Sequence, residues 1–249
     1  MKGVLATPSS QIVPLRQNVG GWLDGSAICH LDLFAGFDRA VCDAIARSSN
    51  PIHLRKGETA FAQDEQPRNL LMVLTGRLKA THVTPEGGRV VIRLMGPSDL
   101  AGHVYLFCDR PYAATATAVT DTILLAWPKL VFQELMSRHP PLALAVVRNT
   151  AKFLEDADAR LCEATTERVE RRIAHAVLRL VRQAGRRVDG GIEISFPITR
   201  HDIALMSGAT LYTVSRILSA WEERGIVNGG RQRLVLCDAH ALVKIAEEE

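Results

Sequence analysis

The sequence predicts an α+β chain: a barrel or sandwich of short strands, then a long helix, then a winged helix-turn-helix. Three observations predict it. Between Pro51 and Pro128 the chain is punctuated by Gly57, Gly76, Gly87, Gly88, Gly96 and Gly102, with short strand-like runs between them. After Pro140-Pro141 the apolar period becomes helical and is held for about three heptads. Around Ser207-Gly208-Ala209-Thr210 two short amphipathic stretches meet at an abrupt corner.

Composition is compatible with such a chain and narrows its setting. Of 249 residues, 47% are hydrophobic and 23% charged, enough to form ordinary cores. The net charge of +3 points to no partner, but its distribution does. Thr165 to Arg233 contains twelve Arg, no Lys and seven carboxylates, an excess of +5 in the segment that holds the corner. The first 25 residues lack the apolar run of a secretory signal, and no stretch approaches the ~20 apolar residues of a membrane span. Five cysteines without short spacing do not form a disulfide framework. The expectation is a cytoplasmic protein with reduced thiols and no membrane partner.

Taken in order, residues 1–25 read as a loose arm. Leu33, Phe34, Phe37, Val41, Ala44 and Ile45 have helical spacing. Val90, Ile92 and Leu94 share one face of a strand that follows a hairpin turn at Thr84-Pro85-Glu86-Gly87-Gly88. Ala113 to Ala126 reads as strand. The long helix carries Ala143, Val147, Thr150, Leu154, Ala157, Leu161 and Ala164 in a 4-3-4-3-4-3 spacing. So narrow a stripe packs against its own barrel or against a twin helix. The twin is favoured, with Ala143, Val147, Thr150, Leu154, Ala157 and Leu161 as the dimer interface. A second helix is predicted from Thr165 to Ala184, and a strand over Ile192-Glu193-Ile194-Ser195-Phe196.

The corner has its own logic. Thr199 and Asp202 fit a capping box, so a helix starts there. Ile203, Leu205 and Met206 are its buried candidates. Gly208 permits a left-handed turn, and Thr210 caps the next helix. Val214, Ile217, Leu218 and Trp221 form that helix's inner face, leaving Tyr212, Thr213, Ser215 and Arg216 outward. No carboxylate occurs in this helix before Glu222, so its N-terminal N–H groups suit a phosphate chain. Arg216 can donate two hydrogen bonds to guanine, and Tyr212 can meet a base edge or a thymine methyl. Residues 226–236 read as a hairpin with a basic tip, Arg231 and Arg233, beside a duplex backbone. The expected DNA-facing set is Thr199, His201, Thr210, Tyr212, Thr213, Ser215, Arg216 and Arg231, with double-stranded DNA as partner.

With these parts in place the chain resembles the CRP/FNR superfamily of bacterial transcription regulators. The resemblance rests on Leu54-Arg55-Lys56-Gly57-Glu58, Leu74-Thr75-Gly76-Arg77-Leu78, Gly96-Pro97-Ser98-Asp99-Leu100-Ala101-Gly102, Arg168-Val169-Glu170-Arg171-Arg172-Ile173 and Thr213-Val214-Ser215-Arg216-Ile217-Leu218. It implies a jelly-roll-like β-roll sensor domain over 26–138, a dimerisation helix over 139–164 and a winged helix-turn-helix DNA-binding domain over 165–249. It further implies a homodimer on a two-fold symmetric operator, with RNA polymerase as a further partner. The effector pocket would involve Gly102, His103, Ala113, Ala114 and Thr150.

Departures from the family pattern bear on the signal. Cyclic-AMP-binding members use Gly-Glu and Arg-Ser pairs, where this chain has Gly102-His103 and Ala113-Ala114. Without that Arg a cyclic phosphate loses its bidentate partner, so no cyclic-AMP response is expected. Cys29, Cys42 and Cys108 do not reproduce the close cysteine run of an iron–sulfur cluster. Haem near His103 stays open, and the cofactor is unassigned. Where many members carry Glu early in the recognition helix, this chain has Tyr212.

An alternative from another class is a small-molecule-binding β-barrel module whose C-terminal domain contacts proteins. An enzyme is not expected: the sequence has no paired-carboxylate motif, His-rich metal spacing, phosphate-cradling glycine loop or nucleophile elbow.

Overall fold

The computed structural model describes residues 24–247, so the arm expected over 1–25 lies almost wholly outside the described residues. The chain divides into two compact units. One runs up to Ala80 and resumes over Pro97–Ala143; the other comprises Thr81–Gly96 and the chain from Leu144 onward.

The first unit opens with α1 (Ser26–Cys29), a single 3-10 turn at Asp32–Phe34, and α2 (Arg39–Arg47). The predicted helix around Leu33–Ile45 is therefore shorter. Gly36, at φ 85°, breaks it, and α2 buries Cys42, Ile45 and Ala46 while Ala44 is exposed. Along the chain follow β1 (Asn50–Leu54), β2 (Thr59–Phe61), β3 (Asn69–Thr75), β4 (Leu78–Val83), β5 (Arg89–Met95) and β6 (Leu100–Ala101), of which β5 and the end of β4 belong to the second unit. After the short α3 (His103–Phe107) come β7 (Thr115–Ala118), β8 (Thr122–Pro128) and α4 (Lys129–Arg138). They form two four-stranded sheets, ordered β1-β8-β3-β6 and β2-β7-β4-β5. Neither sheet closes on itself into a barrel among the described residues.

β3 and β8 pair antiparallel from Asn69↔Pro128 to Thr75↔Ile123 and read as nearly continuous apolar runs because both faces are covered. Trp127, fully buried, donates its indole N–H to the Ile45 carbonyl at 2.9 Å and meets Phe132 edge-on at 5.6 Å. That bond ties α2 to the sheet. The single strand predicted over Ala113–Ala126 is two strands with a turn between them. Thr122 anchors that turn through its buried hydroxyl, which accepts from the Arg77 N–H at 3.1 Å. Gly76 lies opposite at φ 82°; a Cβ there would be 2.4 Å from the Asp121 carbonyl oxygen, so no larger residue fits. The predicted hairpin turn is present, with Gly87 N–H bonded to the Thr84 carbonyl at 2.9 Å.

One thiol expectation is corrected. Cys29 and Cys42 form a disulfide, their Cα atoms 5.8 Å apart. Sequence spacing hid it because α1 folds beside α2, held by the Gly25 N–H to Asp43 at 2.7 Å and the Arg39–Asp24 ion pair at 2.6 Å. Cys108, Cys162 and Cys237 are free and exposed.

Helix α5 (Pro140–Thr166) is 27 residues long, and α6 (Val169–Ala184) starts after a break at Glu167–Arg168. The second helix thus begins later than Thr165. α6 buries Ile173, Ala174, Ala176, Val177 and Leu180. The small sheet has four strands where two alternating runs had predicted three: β9 (Gly185–Val188), β10 (Gly191–Ile194), β11 (Val227–Gly230) and β12 (Arg233–Leu236), ordered β11-β12-β10-β9. Gly-Arg-Arg-Val in β9 has no apolar alternation to betray it. Between β10 and β11 lie α7 (Arg200–Ser207) and α8 (Leu211–Glu223); α9 (Ala239–Glu247) ends the described chain. No single helix among the described residues is long and apolar enough to cross a membrane.

Candidate nucleic-acid interface

The corner is built as its residues dictate. Thr199 caps α7 in a full capping box: its hydroxyl accepts from the Asp202 N–H at 3.0 Å, and the Asp202 carboxylate accepts from the Thr199 N–H at 3.1 Å. Gly208, at φ 63°, ends α7 in the left-handed region. Thr210 then caps α8 by accepting from the Thr213 N–H at 3.1 Å. The two helix axes turn through 113°. Arg172 of α6 braces the corner, donating to the carbonyls of Ser207 at 3.0 Å and Gly208 at 3.4 Å.

Burial fixes which way α8 faces. Val214, Ile217, Leu218 and Trp221 are buried, and the Trp221 indole N–H donates to Glu170 of α6 at 2.9 Å. Ile203 and Ala204 are the buried apolar residues of α7, beside buried Asp202 and Ser207, with Leu205 and Met206 only half-buried. On the outer side Tyr212 is 78% exposed and Leu211 48%. Arg216 is exposed, and Thr213 and Ser215 are half-buried. The first turn of α8 holds no acidic residue.

The structure thus brings Thr210, Tyr212, Thr213, Ser215 and Arg216 together on one helix, with His201 exposed near the start of α7 and Arg231 exposed at the wing tip. Thr199 is engaged in its own cap, its hydroxyl 2.6 Å from Asp202. Arg233 is paired with Glu193 at 2.6 Å, as is Arg186 from β9 at 2.6 Å. These two cations, Arg233 foremost, hold the Glu193 carboxyl below the usual carboxylate range. Sequence reasoning missed Leu211, whose exposure depends on how α8 is rotated, and Arg200, whose partners lie along α8.

In the first unit, Gly102 has φ 69° and packs under the Tyr112 ring; a Cβ on Gly102 would lie 2.3 Å from that ring. Tyr112 stacks on Phe61 at 3.9 Å and is 4% exposed, and burial pushes its phenol well above the usual range. Its backbone is clamped between the Glu65 carbonyl (2.9 Å) and the Asp64 N–H (2.8 Å). His103 and Ala114 are buried and Ala113 half-buried. Thr150 belongs to the other unit, where its hydroxyl donates to the Val146 carbonyl at 2.9 Å. Among the described residues no cluster of three or more His, Cys, Asp or Glu is arranged to hold a metal ion.

Residues 51–139 match the cyclic nucleotide-binding domain, and residues 171–245 match the Crp-like helix-turn-helix domain. A cyclic AMP receptor protein of Thermus thermophilus is 31% identical over 191 residues, 77% of this chain and 85% of that protein. The chain belongs to the CRP/FNR family. A second relative within it, a CRP-like cAMP-activated global transcriptional regulator of Mycobacterium tuberculosis, is 23% identical over 86% of this chain and 96% of its own length. The solved structure of FixK2 from Bradyrhizobium japonicum shares the fold, with a TM-score of 0.70 at 24% identity over 81% of this chain and 98% of that one. His103 is buried, Ala113-Ala114 carry no charge, and an aromatic ring lies over Gly102.

Proposed function

We propose that this CRP/FNR chain is a sequence-specific DNA-binding transcription regulator that works as a cytoplasmic homodimer and has no enzymatic activity of its own. The observation that carries the reading is the outer face of α8. Tyr212 and Arg216 stand exposed on a helix whose opposite face is buried and whose first turn has no carboxylate to repel a phosphate chain. Arg216 reads a guanine; Tyr212, with Leu211 beside it, suits thymine methyl groups. Thr210, Thr213, Ser215, His201 and Arg231 position the backbone, as Thr199 does through the helix it caps.

The dimer reading is supported by α5. Val147, Leu154 and Leu161, seven residues apart, are 61%, 59% and 65% exposed, with Thr150 and Ala157 half-buried between them and Ala143 half-buried one step before. Small residues alternating with large ones allow a twin helix to approach closely. Two recognition helices then fall on half-sites about one helical turn apart. RNA polymerase is the partner through which such a dimer would act. Gly102, His103, Ala113 and Ala114 are the proposed effector region within the first unit, and Tyr112 over Gly102 supports a signal other than cyclic AMP.

Selection of duplexes from a random pool by the full-length protein tests the reading. The expected result is a two-fold symmetric consensus whose affinity falls steeply with salt. A protein that enriches no sequence, and whose duplex binding is insensitive to salt, would overturn it.

A further inference from the structure

The charge that the sequence places at the start of the first corner helix is not free for a phosphate. Arg200, the first residue of α7, donates through Nη1 to the Ser215 carbonyl at 3.2 Å and to the Ser219 hydroxyl at 3.1 Å. Through Nη2 it donates to both carboxylate oxygens of Glu222, at 2.9 and 3.1 Å. All three acceptors lie along α8, so one planar guanidinium grips the middle and the end of that helix at once. Ser215 precedes Arg216, so this grip fixes the backbone beside the residue expected to read a base.

The wing meets the same pair. A Cβ built on Gly229 of β11 would lie 2.1 Å from Glu222 Oε1 and 4.0 Å from Arg200 Nη2. Gly229 has no positive φ, so its backbone conformation does not require glycine. A side chain there would have to displace the Glu222 carboxylate from its place beside Arg200. Arg200 and Glu222 are only 38% and 30% exposed, which shelters the pair from solvent in part.

We propose that Arg200 is a positioning residue for duplex recognition: with Glu222, seated over Gly229, it locks α7, the recognition helix and the wing into one body, and it does not itself bind phosphate. This rests on the DNA-binding reading above. Arg200 could be exchanged for a neutral residue without loss of a backbone contact, yet the fine placement of Tyr212 and Arg216 would suffer.

The test uses the full chain, a duplex it selects from a random pool, and a scrambled duplex, each titrated over a salt series. Arg200→Gln, Glu222→Gln and Gly229→Ala, one from each element, should each lower the ratio of selected to scrambled affinity by about ten-fold, the scale of one misplaced base contact. The double variant Arg200→Gln/Glu222→Gln should be no worse than either alone. Arg200→Gln should leave the salt slope of the scrambled duplex unchanged. Thermal unfolding of each variant guards against misfolding, and Glu222→Gln and Gly229→Ala decide the matter if Arg200→Gln does not fold. The proposal is overturned if Arg200→Gln reduces the salt slope by about one phosphate with the ratio intact. It is equally overturned if Glu222→Gln only tightens both duplexes, as removal of a negative charge alone would do. A wild-type chain that selects no duplex would instead remove the DNA-binding reading itself.

Discussion

Helices α5 and α8 are both amphipathic, and they treat their apolar faces in opposite ways. On α8, Val214, Leu218 and Trp221 are essentially inaccessible, covered within their own domain. On α5, Val147, Leu154 and Leu161 stand more than half exposed at heptad spacing. Fully burying a side chain of that size stabilises by about 1.5–3 kcal/mol, so α8 draws its stability from its own fold. The stripe on α5 gains that stabilisation only from something that covers it. The same hydrophobic periodicity therefore accompanies completed packing in one helix and an exposed apolar stripe in the other. Periodicity alone does not distinguish them; exposure does.

The largest effect of a single substitution is expected at the exposed stripe of α5. Leu154→Glu places a charge in the proposed seam. It should convert a dimer to a monomer by sedimentation and lower operator affinity by about 10²–10⁴-fold through loss of the second half-site. A Leu154→Glu chain that remains dimeric would show that another surface mates. At the sealed face the effect is on folding instead. Trp221→Ala leaves a cavity and the Glu170 carboxylate without its donor, and should cost about 3–5 kcal/mol of stability in a urea titration. Arg216→Ala sharpens the contrast from the outer side of α8. Stability should stay within about 0.5 kcal/mol, while binding to a selected duplex weakens by about 1–3 kcal/mol and one base position relaxes. Equal losses on selected and scrambled duplexes would make Arg216 a phosphate contact only. Smallest is the cap: Thr199→Ala should cost about 1 kcal/mol of domain stability, seen as a lowered unfolding midpoint, with little direct effect on phosphate contacts because the hydroxyl is held by Asp202.

The arginine excess shows how far composition can mislead. It was legible as a basic footprint, yet Arg179 and Arg182 of α6 pair with Glu163 and Asp156 of α5. Arg171 and Arg172 hold carbonyls of α9 and of the corner, Arg186 and Arg233 share Glu193, and Arg200 is bound along α8. Five of the twelve, Arg168, Arg187, Arg216, Arg224 and Arg231, are exposed and outside these pairs, with Arg216 on the recognition helix and Arg231 on the wing. The corner itself was legible almost atom by atom because capping boxes and left-handed glycines are local. The Cys29–Cys42 bond, the extra strand β9 and the turn anchored by Thr122 were not, because each depends on a neighbour brought close by the fold.

The residues alone determined the order of parts: strand-rich roll, heptad helix, capped corner and hairpin wing. Local backbone preferences and hydrophobic period are properties of neighbouring residues and survive without a partner. Only the tertiary structure decided which arginines are outward, that Tyr112 lies over Gly102, and that Arg200, Glu222 and Gly229 meet. Those outcomes depend on how helices and strands are rotated about their axes when they pack, and a one-dimensional pattern does not specify that rotation.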